Sequence, residues 1–332
     1  MEIDTTFPTK LDTISDAPEP LRSALVEGLP AGESARFLVH SPAFPTGDKK
    51  SPATVLAVTD SGWLVASETD DGASALQKSA FSDILFLELR SILLLGQLRI
   101  SFAAIDAPSS VTIEFEGVGD ELYREAIDLM LAGVDPSVTG VPEQDRNEAA
   151  IFEDWPMKFR NEAHRYCPRG QRLLAAARWP AVFGEFHHEI SAAGALLITQ
   201  RELVLISDEK ESSTESLPET YSAEEPKERP PEQQTSPAER LPETEKTNLD
   251  PRNLPGDAYE FGEIITFVPR VRLEGLHVSH RERFGVLVLQ VHAAHGREKL
   301  EILFPPDHET AVSKALEQVS LFRSSATKIT NE

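Results

Sequence analysis

Cysteine is almost missing from this chain. Among 332 residues there is one, Cys167, which excludes an internal disulfide and any multi-cysteine metal cluster. Basic residues are scarce as well: 32 Lys and Arg stand against 55 Asp and Glu, a net charge of −23. A general nucleic-acid binder needs a basic footprint that this balance does not supply, and a polybasic membrane anchor is disfavoured for the same reason. Long apolar runs are absent too. The apolar runs are short, such as 92–95 and 195–198, far below the roughly 18 residues of a spanning helix. The opening Met1-Glu2-Ile3-Asp4 has neither the basic nor the apolar region of a signal peptide. With a single thiol, these features predict a cytoplasmic protein without a transmembrane segment.

Apolar residues make up 40% of the chain, below the usual globular share, and the deficit has an address. Residues 208–256 hold eight of the 24 prolines, with Tyr221 as their only aromatic. Such a segment cannot bury enough apolar area to offset its ordering entropy, so it is expected to be disordered. A shorter polar stretch covers 135–147.

What is present is a repeat, the first thing to seek in a sequence. Leu29-Pro30-Ala31-Gly32-Glu33 returns as Cys167-Pro168-Arg169-Gly170-Gln171. The runs 55–59 and 63–67 return as 195–199 and 203–207, both at an offset of 140, so that Thr59 matches Thr199 and Ser67 matches Ser207. Residues 84–90 resemble 264–270 at an offset of 180, and 111–115 resemble 300–304. Each copy then closes with an amphipathic helical pattern. In 120–131 the apolar face is Leu122, Ala126, Ile127, Met130 and Leu131; in 308–322 it is Ala311, Val312, Ala315, Leu316, Val319 and Phe322. Asp120 and Asp307 stand where an N-cap is wanted. Helix-like stretches at 20–29 and 156–166 precede the two Pro-x-Gly sites, each with Pro as a first-turn residue.

Short apolar strands in series, without interleaved helices, point to a sandwich or small barrel. The arrangement resembles the bacterial pleckstrin-homology-like (YokE-type) domains. There, Pro-x-Gly-Glu opens the first strand, as Pro30 to Glu33 do, and a strand ending Leu-x-Ile-Thr leads through a turn into another, as Leu197 to Ile206 do. The resemblance covers 29–133 and 167–322; the 59–63 turn matches the family pattern only loosely, and the insertion in the second copy is atypical. It implies a mainly β chain with terminal helices (α+β), arranged as two PH-like β-barrels each closed by a C-terminal α-helix. The implied division is a tail and short helix at 1–28, a first domain at 29–134, a linker with a helix at 135–166, a second domain at 167–323 carrying the 208–256 insertion, and a tail at 324–332. The polar linker predicts copies that unfold separately.

Nine histidines invite a metal reading. His277-x-x-His280 and His292-x-x-His295 fall on predicted strands, where positions i and i+3 face opposite sides. A hairpin turning near Phe284 would set His277 opposite His292, giving two ligands where zinc needs three or four. His187-His188-Glu189 is a third cluster. Cys167, near His164, matches Leu29 of the first copy, which favours an apolar role over a nucleophilic one. No P-loop or dinucleotide fingerprint is present, since Gly117-Val118-Gly119 lacks a third glycine. These readings predict no catalytic set, no metal and no cofactor.

One charge feature remains. Arg270, Arg272, Arg281, Arg283, Arg297 and Lys299 crowd the second copy, whose folded parts (168–207 and 257–322) carry 11 basic and 13 acidic residues; in 30–134 the count is 7 against 15. They form a candidate anion- or partner-binding face, with a solvated face of cross-strand ion pairs as the plainer reading. The function expected is a non-enzymatic tandem PH-like binding or scaffold protein for a protein or peptide ligand. The alternative is a peripheral lipid- or anion-binding protein using the basic face of the second domain.

Overall fold

The computed structural model describes residues 6–46, 49–92, 94–105, 107–138, 151–167, 171–184, 189–208, 262–281 and 283–329, the last ten by backbone alone. The disorder expected of 208–256 therefore lies, apart from Asp208, outside the described residues, as do Pro168, Gly170, His187, His188 and the side chain of Phe322.

The first repeat contains β1 (Thr9–Lys10), α1 (Leu21–Gly28), β2 (Phe37–Ser41), the small hairpin β3 (Phe44–Thr46) and β4 (Lys49–Ser51), then β5 (Thr54–Val58), β6 (Gly62–Glu68) and β7 (Ser74–Ala80). β8 (Ile84–Ile92), β9 (Leu95–Ala103) and β10 (Pro108–Glu116) follow, and α2 (Asp120–Val134) ends it. The second repeat opens with α3 (Met157–Tyr166), β11 (Leu173–Trp179), the hairpin β12 (Val182–Phe183) and β13 (Glu189–Ser191), β14 (Gly194–Thr199), β15 (Glu202–Asp208) and β16 (Gly262–Pro269). It continues through β17 (Leu273–Arg281), β18 (Phe284–Ala293) and β19 (Gly296–Phe304) to α4 (Glu309–Ile329). The chain is mainly β with terminal helices, an α+β protein. Among the described residues, no helix is long and apolar enough to cross a membrane.

The sequence resemblance between the two halves has counterparts in structural detail. Thr59 Oγ1 accepts from the Ser61 and Gly62 N–H groups at 3.3 and 3.1 Å, and Thr199 Oγ1 accepts from Arg201 and Glu202 at the same two distances. Both repeats kink at a strand irregularity, between Ile84 and Phe86 and between Leu273 and Gly275. Both seat a phenylalanine ring on a glycine: a Cβ on Gly96 would meet Phe115 at 2.2 Å, and one on Gly285 would meet Phe304 at 2.4 Å. These pairs share an offset of 189, so β8 is the counterpart of β17. The sequence match of 84–90 to 264–270 at an offset of 180 is thus displaced: 264–270 corresponds to 75–81, nearly all of β7 and the first residue of the turn after it. That turn is Phe81–Asp83 in the first repeat and Arg270–Arg272 in the second.

The sheets do not close into barrels. A five-stranded antiparallel sheet runs β1-β2-β5-β6-β7, and a three-stranded one runs β17-β18-β19. Between them lies a seven-stranded sheet, β10-β9-β8-β16-β15-β14-β11. Its centre is the contact between repeats: β8 pairs with β16 from Phe267↔Leu87 to Gly262↔Ile92. β8 spends its outer main-chain groups on the other repeat, so among the described residues the first repeat is left with an open edge at β7. The two copies, expected to be independent, share one hydrogen-bonded ladder and one compact unit.

Three cores follow from strand alternation. The first joins Val39, Leu56 and Trp63 of the five-stranded sheet to Leu87, Ile100 and Phe115, closed by Ile127, Met130 and Leu131 of α2. It continues through Phe159 and Ala163 of α3 onto Leu197, Val204 and Ile265 of the second repeat. The second lies between Leu196, Leu205 and Phe86 of the seven-stranded sheet and Leu287, Leu289 and Val291, covered by Val312, Ala315, Leu316 and Val319 of α4. The third packs Leu21 and Leu25 of α1, one turn apart, on Leu38, Val55 and Leu64.

The helix starts differ from expectation. Asp120 is the first residue of α2 rather than its cap, and its carboxylate pairs with Arg165. Asp307 lies within the 3-10 turn Pro306–His308 before α4.

Candidate functional site

The six basic residues of the second repeat are spread over two places. Arg270 and Arg272 sit in the turn before β17 and bind main-chain carbonyls. Arg270 Nη1 donates to Thr199 and Gln200, each at 3.0 Å. Arg272 donates to Ile84 at 3.0 Å and Phe81 at 3.2 Å, tying one repeat to the other. The rest lie along the three-stranded sheet. Arg281 meets Glu301 at 2.8 Å, Lys299 pairs with the same carboxylate, and Arg297 meets Glu274 at 3.1 Å. Arg283 follows in the β17–β18 connection. Exposed pairs of this kind are screened by solvent and add little to stability.

The histidine register also differs from expectation. Arg281 pairs with Phe284 where β17 passes to β18, so His277 stands opposite Val288, and His292 stands opposite Arg297. His277 and His292 are not partners, and His280 lies 3.4 Å from Glu309. Among the described residues, no three His, Cys, Asp or Glu side chains gather as a metal site. Cys167 ends α3 half-buried against the first core, its N–H bonded to Ala163 at 2.9 Å.

The geometry draws attention to β7. This strand pairs with β6 on one side and ends the sheet on the other. The Phe81 N–H bonds the Ser61 carbonyl at 2.9 Å, which fixes the alternation of the antiparallel ladder. Ala75, Gln77 and Ser79 turn their main-chain groups toward β6, while Leu76, Lys78 and Ala80 present theirs at the open edge. A cavity flanks each end. Between α1 and β7 a groove of about 560 Å³ is bordered by Ser23, Glu27, Ser74 and Lys78. At the other end a cavity of about 370 Å³ is lined by Pro30, Thr59, Ser61, Ser79 and Asp83, with Lys78 between the two. Lys78 Nζ donates to the Gly28 carbonyl at 2.7 Å. Ser79 donates to Asp83 at 2.9 Å, and Ser61 to Glu33 at 2.6 Å.

A second polar cluster surrounds α3 at the stems of the insertion. Lys158 meets Asp208 at 2.5 Å, Tyr166 donates to Glu263, and Arg165 lies 3.6 Å from Glu263 while pairing with Asp120. Glu162, 6% exposed, faces Glu263. Burial, reinforced by the neighbouring Glu263 carboxylate, pushes Glu162 up to about 8. Glu162 therefore keeps its proton at neutral pH.

Sequence reasoning passed over β7 because Ser-Ala-Leu-Gln-Lys-Ser-Ala has little β-propensity and no clean apolar alternation. The usable signal was the Thr59–Gly62 turn, already visible as the partner of Thr199. No protein-family model matches the chain, and no curated protein matches it.

Proposed function

We propose that the chain is a cytoplasmic, non-catalytic binding protein built of two PH-like repeats, and that it takes an extended segment of another protein along β7. The order of four strands, three strands and a helix, met twice, supports the PH-like reading. The single observation that carries the binding reading is the open edge at Leu76, Lys78 and Ala80 with a cavity at either end. An added strand draws affinity from main-chain hydrogen bonds and specificity from alternate side chains in flanking pockets. Lysine is a common guard of such edges, but here the Lys78 ammonium is held by the Gly28 carbonyl. An anion-binding role for the second repeat would compete with the carboxylates and carbonyls that hold its cations.

Ala80→Pro tests this reading without disturbing the fold. Ala80 has φ −75°, close to the value proline imposes, and its N–H points away from β6, so proline is tolerated there. Peptides selected on the chain from a random display library are expected to lose about tenfold or more in affinity on this variant, while the melting temperature holds. Undiminished binding by the folded variant would overturn the reading.

A further inference from the structure

We propose that the cavity at the 59–62 turn receives an arginine side chain of the bound segment. The inference deepens the β7 reading and rests on it for the source of the arginine. It comes from comparing the two repeats. Their β-turns are built alike, with the threonine hydroxyl accepting from the same two N–H groups and donating to the carbonyl three residues on, Gly62 at 3.2 Å and Glu202 at 3.0 Å. The residue after the next strand closes on the turn in both, Phe81 N–H to Ser61 at 2.9 Å and Arg270 N–H to Arg201 at 2.8 Å.

The repeats then part. In the second, the Arg270 guanidinium fills the concave side of the turn and satisfies the Thr199 and Gln200 carbonyls, both at 3.0 Å. In the first, Phe81 turns into the core, 5% exposed. The equivalent carbonyls, those of Thr59 and Asp60, then accept no hydrogen bond among the described residues; Asp60 is exposed, with the Arg36 guanidinium on its carboxylate at 2.5 Å, whereas Thr59 is buried. Thr59 is 1% exposed, and a buried acceptor without a partner is costly. The cavity opens at this place, with Thr59, Ser61 and Asp83 in its wall.

The chemistry of the wall suits a guanidinium. Of the wall's acceptors, the Thr59 carbonyl is open and the Asp83 carboxylate already accepts from Ser79 at 2.9 Å; a planar fork of donors meets several acceptors at once where an ammonium is a point charge. Glu33 stands behind Ser61, one of its oxygens buried and unpartnered. The Lys78 charge at the rim opposes a cation, but it is bound to the Gly28 carbonyl at 2.7 Å. Ser79 and Ala80 of the open edge form the near side of the cavity, so a strand added to β7 would run past its mouth.

The test is an NMR titration of the full chain with N-acetyl-arginine amide. Saturable shifts are expected in the amides of Thr59–Gly62 and Ser79–Asp83, with a clearly weaker response to N-acetyl-lysine amide and none to the uncharged N-acetyl-citrulline amide. Equal responses to arginine and citrulline, or no shift at these amides, would overturn the proposal. A parallel measurement uses Arg270→Ala, which empties the second turn. Ethylguanidinium at low millimolar concentration should raise the melting temperature of this variant and not that of the parent chain; no rescue would remove the comparison on which the inference stands. The titration of the parent chain needs no added strand, which keeps the two readings apart: if Ala80→Pro keeps the selected peptides, the β7 reading fails while the arginine site is judged by the parent's titration alone.

Discussion

Truncating Ile127 to alanine is expected to destabilise the whole chain by about 2–5 kcal/mol, the range for a buried aliphatic. Ile127 is 1% exposed and lies in the middle of α2, which packs against β2, β5, β6 and β8. Its core includes Leu197, Val204 and Ile265 of the second repeat, so the cavity left behind weakens both. The loss is expected as one cooperative transition. Amide hydrogen exchange should quicken in β18 of the second repeat as well as in β5 of the first. Leu316→Ala, at 8% exposure on α4, removes a side chain from the second core and should fall toward the lower end of the same range. If both variants cost under about 0.5 kcal/mol, as ordinary surface changes do, α2 and α4 do not close these cores. Two separate melting transitions would instead show that the β8–β16 ladder does not couple the repeats.

That coupling marks the boundary of what the sequence could convey. Helices were legible because their signal is local. The spacing of Ala126, Ile127, Met130 and Leu131 depends on neighbours within three turns, and the structure buries all four. The Thr59–Thr199 match was legible because an ST turn is specified by four consecutive residues. Pairing between distant strands has no such local signature. β8 reads Ile-Leu-Phe-Leu-Glu-Leu-Arg-Ser-Ile and β16 reads Gly-Glu-Ile-Ile-Thr-Phe-Val-Pro; either could sit in a sheet of its own repeat, and nothing in them says that they join each other. The similarity of these two apolar runs is what displaced the repeat alignment from 189 to 180. A strand that is apolar on both faces looks like any other, whereas Gly96 with Phe115 and Gly285 with Phe304 carry the true register through a steric demand. The basic cluster was legible as composition, but its partners Glu274 and Glu301, and the carbonyls under Arg270 and Arg272, depend on register. The β7 edge escaped altogether, because an open edge is a property of which strands pair elsewhere.

The stability of the chain is expected to fall as pH rises from about 4.5 to about 8, and Glu162→Gln should remove much of that fall. In the folded chain Glu162 titrates near 8, against 4.5 for the free group. Below pH 4.5 both folded and unfolded forms hold the proton and the contribution is fully present. Between the two values the unfolded chain gives up its proton while the folded chain keeps it, so stability declines as pH rises; above 8 both are ionised and the loss is complete. The groups around Glu162 account for the direction. Glu263 on β16 and Asp208 on β15 oppose a second negative charge, Lys158 one turn away on α3 favours it, and burial opposes it most strongly. At one pKa unit per about 1.4 kcal/mol, the loss is on the order of a few kcal/mol. Asp120 and Glu202 are also raised by burial and act in the same direction, so the parent curve alone does not isolate Glu162. The difference between parent and Glu162→Gln does. Glutamine keeps a donor for the Glu263 carboxylate and carries no proton to lose. Urea midpoints of the two proteins should be close at about pH 5 and diverge toward about pH 9, with Glu162→Gln the more stable there. Parallel curves across that range would show that Glu162 does not hold its proton in the folded chain at neutral pH, and that the stems of the insertion are held by the Lys158–Asp208 and Tyr166–Glu263 contacts alone.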